Sequence, residues 1–194
     1  MKLKWVGNSF ITFSLVLIII LFYLQSLFNT GTFTQFESNQ NVPFPTDLHP
    51  VVKERSNELV QQSAQQGIII VITDSFRSAE DQNRLFEKGR SLGGNIVTHA
   101  KGGESYHNYG LAVDFAIKEP SGNIIWDVKY DGNGNSVADW TEVVNMAKEL
   151  GFEWGGDWAR FKDYPHLQMD FGLTIAELQS GERPPGSTLT ADSH

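Results

Sequence analysis

Apolar positions along the chain fall into three regimes. Over 10–28 they are nearly continuous, and 15–22 holds no polar residue. Over 29–46 the periodicity vanishes into Thr, Asn, Gln, Ser and Pro, the composition of a linker. From 47 onward, helical and strand periods alternate. Pro50 opens a helix predicted to run to 66, with Val51, Leu59, Val60 and Ala64 turned inward and Gly67 ending it. The β-branched run 68–73 reads as a strand, and Ser78 with Asp81 three residues on caps a helix to about 89. A polar, Gly-rich loop fills 91–104. In the strand predicted over 110–117, Leu111, Val113 and Phe115 alternate with Ala112, Asp114 and Ala116. A second strand, 124–129, pairs with it through a turn at 119–122. Val143, Val144, Ala147 and Leu150 stripe a helix over 139–150, closed by Gly151, and short strands follow at 152–154 and 166–169. Thr174 and Glu177 cap a last short helix, beyond which 181–194 reads as a disordered tail.

The first regime carries Lys2 and Lys4 ahead of it and meets no acidic residue before Glu37. Segment 1–28 is therefore a signal peptide or a membrane anchor with its positive end inside. The anchor reading gains from a length near the ~20 residues that span a bilayer and from the lack of an Ala-x-Ala site before Ala64. Either reading puts 47–180, a single domain, outside the cytoplasm as a monomer. The 194 residues carry 15 Lys+Arg against 23 Asp+Glu, net −8, which argues against nucleic acid as a partner and leaves the N-terminal segment as the one membrane contact. Cysteine is absent, so disulfides, thiolate metal sites and thiol nucleophiles are excluded, and His, Asp and Glu remain as metal ligands.

That restriction sharpens the stretch 105–114, SYHNYGLAVD. Asp114 sits within an otherwise apolar strand, where a lone carboxylate is costly and a cation or a donor cluster is expected beside it. His107 lies seven residues before it and His166 opens a later strand, so the three form a candidate metal site with an open fourth position. Hydrolysis at such a site needs a carboxylate to move protons. Asp163, three residues before His166, is one candidate base, and Glu153, Asp157 and Asp170 compete with it. Arg77, after the first strand, either points into a cleft to stabilise an oxyanion or pairs on the surface with Glu80 or Asp81. His49 reads as a residue near a helix start and His99 as part of the loop. Asp131, Asn133, Asn135, Asp139 and Glu142 fall at positions 1, 3, 5, 9 and 12 of a calcium loop. Ser136 occupies the position that calls for glycine, and the competing reading is a Gly/Asn turn with an Asp139/Glu142 capping box.

The pattern Ser105-x-His107-x-x-Gly110-x-Ala112-x-Asp114, followed by Asp163-x-x-His166, resembles that of the zinc peptidases that include D-alanyl-D-alanine carboxypeptidases and dipeptidases and peptidoglycan L-alanyl-D-glutamate endopeptidases. With FRS at 76–78, IIWDVKYDGNGN and GFEWGGDWARFKDYPHLQM, the likeness is greatest to the Bacillus-type endopeptidases and spans about two-thirds of the chain. It implies an α+β fold of the hedgehog/DD-peptidase kind, a small antiparallel sheet carrying zinc with flanking helices. It implies His107, Asp114 and His166 as zinc ligands and Asp163 as general base. Arg77 is implied at the oxyanion or on the substrate, and Ser105 in orienting substrate. The implied substrate is the stem peptide of peptidoglycan, cut between L-alanine and D-glutamate. A D-alanyl-D-alanine carboxypeptidase and a non-catalytic, zinc-stabilised wall-binding domain are the alternatives.

Overall fold

The computed structural model describes residues 42–189; the leader or anchor expected at 1–28 and the last residues of the chain lie outside them. Within these residues, four helices flank one antiparallel sheet. In chain order these are α1 (Pro50–Gln65), β1 (Ile70–Asp74), α2 (Ala79–Glu87), β2 (Ala112–Lys118), β3 (Ile124–Ile125), α3 (Asp139–Glu149), β4 (Glu153–Trp154), β5 (His166–Gln168) and α4 (Ile175–Gln179). Single 3-10 turns at Tyr106–Tyr109 and Gly155–Asp157 precede β2 and follow β4. The sheet runs β1-β2-β5-β4, with β3 also on β2, and every pairing is antiparallel. The α+β expectation holds.

β2 is central because its alternation loads both faces. Val113, Phe115 and Ile117 pack with Val52 and Leu59 of α1 and with Trp140, Val143, Val144 and Ala147 of α3. Burying each of these large side chains contributes roughly 1.5–3 kcal/mol. The intervening Ala112, Asp114 and Ala116 face the other side, where two methyl groups leave room around the carboxylate. The predicted helix caps at Ser78 and at Thr174/Glu177 both form, and His49 caps α1 by accepting from Val51 N–H.

Three expectations need correcting. The inward face of α1 is Val52, Ser56, Leu59 and Ser63, while Val51 and Ala64 are exposed. An apolar count passes over these serines, yet Ser56 satisfies its hydroxyl on the Val52 carbonyl, 2.7 Å away, and so can be buried. The second strand stops at Ile125 and leaves Trp126 exposed, because β3 pairs only with the end of β2. Residues 181–189 are ordered. Arg183 donates to the carbonyls of Leu178, Glu182, Val42 and Pro43 and stacks over Tyr109, and Pro45 pairs with Leu189. That order rests on one guanidinium serving carbonyls from both ends of the domain, a feature without a sequence period. Among the described residues, no helix is long and apolar enough to cross a membrane.

Candidate metal centre

β2 and β5 are registered so that Asp114 and His166 stand opposite one another, on the same face of the sheet. His107 arrives from the 3-10 turn just before β2. Gly110 ends that turn at φ 68°, and a Cβ there would stand 2.4 Å from the Asp47 carbonyl oxygen, so the reversal that delivers His107 to the strand needs glycine. The three side chains meet in a nearly equilateral triangle. His107 Nε2 is 3.2 Å from His166 Nδ1, and Asp114 Oδ1 is 3.3 Å from each. A tetrahedral ion with bonds of about 2.0–2.1 Å has ligand-to-ligand edges of about 3.3 Å, so these atoms match one face of such a shell.

Two further observations test the fit. Asp114 Oδ1 is buried and has no partner in hydrogen-bonding geometry, so its proximity to both rings reflects convergence on a common point. Main-chain carbonyls only accept. The Ser75 carbonyl, 2.6 Å from His107 Nδ1, therefore holds the proton on that nitrogen and leaves Nε2 bare toward Asp114. Burial pushes the Asp114 carboxyl up, and the charge of His107 and His166, when those rings are protonated, outweighs it, holding the group well below the usual carboxylate range. The residues present fit a divalent cation.

A cleft of about 700 Å³ opens over this triangle, lined by Arg77, Ser105, Trp158, Phe161 and Asp163 among others. Asp163 alone of the four candidate bases lines it. Glu153 accepts from Gln168, Asp157 pairs with Lys148 at 2.6 Å, and Asp170 accepts from Gly172 N–H. Burial raises the Asp163 carboxyl, and the Asp114 charge adds to this against the pull of His166, His107 and Arg77. The bend 163–166 is closed by His166 N–H donating to the Asp163 carbonyl, and Asp163 N–H donates to Gly155. A Cβ on Gly155 would lie 2.5 Å from the Asp163 carbonyl oxygen and 3.1 Å from His166 Cβ. Gly155→Ala is expected to shift the base and a ligand together, lowering kcat/KM on the order of 10²-fold, the effect of an ångström-scale misplacement. Steady-state kinetics on isolated muropeptides, with circular dichroism to check the fold, measures it.

Arg77 points into the cleft wall and is only 14% exposed. It pairs with Asp74 and donates to Gln82 Oε1 at 2.7 Å; the alternative partners Glu80 and Asp81 pair with Arg84 instead. Its main-chain N–H donates to the His107 carbonyl, tying the β1 to α2 turn to the ligand turn. Ser105 caps the 3-10 turn without a side-chain bond and lines the cleft. Three neighbours lacked a sequence signal, and a fourth, Glu153, stands elsewhere than a competing base would. Trp158 lies with its ring 5.2 Å from that of His166, His99 faces Phe161 across the cleft wall, and Gln168 and Glu153 stand behind His166.

The loop 131–142 holds itself together. Asp131 accepts from the N–H groups of Gly134, Asn135 and Ser136, and Asp139 from Gly132. The two oxygens of Glu142 each meet an amide, of Asn133 and of Asn135. Ser136 does take the left-handed φ of 69°. Asx-turn bonding accounts for these contacts, and nothing in them calls for calcium. The expected capping box is absent, since α3 is capped at Ala138 without a side-chain bond and Asp139 serves the loop instead. Among the described residues, the group of His, Asp and Glu side chains that brings three ligand atoms together is His107, Asp114 and His166.

Known proteins are similar to this chain in sequence. Residues 98–169, which include both histidines, Asp114 and Asp163, match the D-alanyl-D-alanine carboxypeptidase family. The peptidoglycan L-alanyl-D-glutamate endopeptidase CwlK of Bacillus subtilis (strain 168) is 54% identical over 156 residues, which are 79% of this chain and 93% of that protein. The chain belongs to this peptidase family. A further relative, the L-alanyl-D-glutamate peptidase of Listeria phage A118, is 32% identical over 119 residues, 61% of this chain and 37% of that longer protein. Among solved structures, the Serratia marcescens L-Ala D-Glu endopeptidase ChiX aligns with a TM-score of 0.36 and 22% identity over 66% of this chain and 92% of its own, too distant to bear on the reaction.

Proposed function

We propose that this peptidase-family member hydrolyses the L-alanyl-D-glutamate bond of peptidoglycan stem peptides, outside the cytoplasm, with zinc held by His107, Asp114 and His166. The observation that carries the reading is the triangle of three donor atoms at tetrahedral spacing with Asp163 in the same cleft. Zinc bound there supplies a Lewis acid that acidifies a water and polarises the scissile carbonyl. Asp163, raised by burial and free of competing hydrogen bonds, takes the proton of the attacking water and passes it to the departing amine of D-glutamate. Arg77, held by Asp74 and Gln82, offers its remaining N–H groups to the oxygen that gains charge. Ser105, with an unengaged hydroxyl at the cleft, orients the substrate. Export rests on the lysine-led apolar segment at 10–28, cleaved or retained as an anchor.

Mass spectrometry of muropeptides digested by the zinc-loaded protein tests the bond. Products split between L-alanine and D-glutamate are expected. Release of terminal D-alanine with that bond intact would replace this reading with a D,D-carboxypeptidase, and unchanged muropeptides would leave a wall-binding domain.

A further inference from the structure

His107 is locked in its metal-binding form by a main-chain carbonyl, which has no alternative role. His166 has no such backbone partner. Its Nδ1 faces the triangle and its Nε2 lies 3.1 Å from Gln168 Oε1. A glutamine amide is ambiguous, because turned over it presents N–H groups to Nε2. The proton would then have to sit on Nδ1, where it blocks a metal. Glu153 removes the ambiguity. Its carboxylate can only accept, and Gln168 Nε2 donates to it at 3.1 Å. The oxygen of Gln168 must then face His166 and accept from Nε2–H, which leaves Nδ1 bare.

We propose that Gln168 and Glu153 form a two-residue lock that sets the tautomer of His166 and so prepares it to bind the metal through Nδ1. The sheet builds the lock. His166 and Gln168 are two apart on β5 and share a face, while Leu167 between them enters the core. Ala112 stands opposite Gln168 and leaves space for its amide, and Glu153 on β4 is its partner on the other side. Gln168 is buried, whereas Glu153 reaches solvent and has no part in the cleft. Both are positioning residues, acting through His166.

The inference rests on the metal-centre reading, and zinc affinity measured by chelator competition separates the two. Gln168→Leu, which keeps the volume, is expected to weaken zinc binding about 10–100-fold, the usual effect of losing a partner behind a metal-bound histidine. Its chelator-treated form should melt with the chelator-treated parent. Glu153→Ala should fall between them, since water can accept or donate. The exchange Glu153→Gln with Gln168→Glu restores the order of donors and acceptors, now with a carboxylate accepting from His166, and should recover most of the affinity. In long-range 15N–1H spectra of the chelator-treated parent, neutral His166 should carry its proton on Nε2. Parent-like zinc affinity in Gln168→Leu, or a proton on Nδ1 of His166, overturns the lock while leaving the metal site standing. A parent that binds no zinc overturns both.

Discussion

Asp163→Asn is expected to lower kcat by about 10²–10⁴, the usual contribution of a positioned general base, while zinc content stays at the parent level. The amide keeps the shape of the carboxylate and the main-chain bonds of the 163–166 bend, but it cannot take a proton. Stopped assays on muropeptides with metal analysis of the same samples separate the outcomes, and a zinc-replete variant cleaving at the parent rate would remove Asp163 from the mechanism. Stability should move the opposite way. Burial raises the folded-state pKa of Asp163, so in chelator-treated protein its ionised form opposes folding. That penalty appears as pH rises from the unfolded value, about 3.9, through the raised folded value, and is absent below both. Metal-free Asp163→Asn is therefore expected to melt above the metal-free parent at neutral pH, with the difference closing in acid. The residue proposed as the base is one the fold alone would prefer neutral.

Asp114→Ala is expected to abolish activity by a different route, through loss of the metal. It removes one of three donors and the only negative charge in the triangle, leaving two imidazoles to hold a divalent cation. At a zinc concentration of 100 times its Kd, the parent gains about 2.7 kcal/mol of stability, which the variant should forgo. Thermal melts with and without zinc read this directly, and a parent-sized shift in the variant would exclude Asp114 as a ligand. Without metal, the carboxyl is held below its unfolded value by the two imidazoles in their protonated form, despite burial. Its contribution is thus present above the unfolded pKa and is lost as pH falls toward the depressed one, the reverse of Asp163.

The contrast between these two aspartates marks how far residues alone carry the reading. Asp114 was legible because a strand with period two left a carboxylate among buried neighbours, an expensive arrangement without a cation. Asp163 was not separable from Glu153, Asp157 and Asp170 by local pattern, and the family resemblance singled it out before any distances were known. The structure adds a physical reason: Lys148, Gln168 and a turn N–H occupy the other three, and each of those partners comes from packing or local folding that no spacing encodes. Ser56 on the inner face of α1 escaped an apolar count for a related reason, because a hydroxyl bonded to its own helix is buried at little cost. The ordered 181–189 segment escaped because its hold is a single guanidinium reaching carbonyls at both ends of the domain.

By itself, the sequence determined most of the elements, the absence of thiol chemistry and the three donor types at the metal, since periodicity and residue identity are local properties, while the α+β class came through the family resemblance. The tertiary structure alone decided that His107 and His166, 59 residues apart, present Nε2 and Nδ1 to one carboxylate oxygen 3.3 Å from each. It also decided which carboxylate faces the cleft and which stands behind a glutamine. Those choices follow from strand register, where a shift of one residue would turn Asp114, His166 and Gln168 to the opposite face and bring the core residues to theirs.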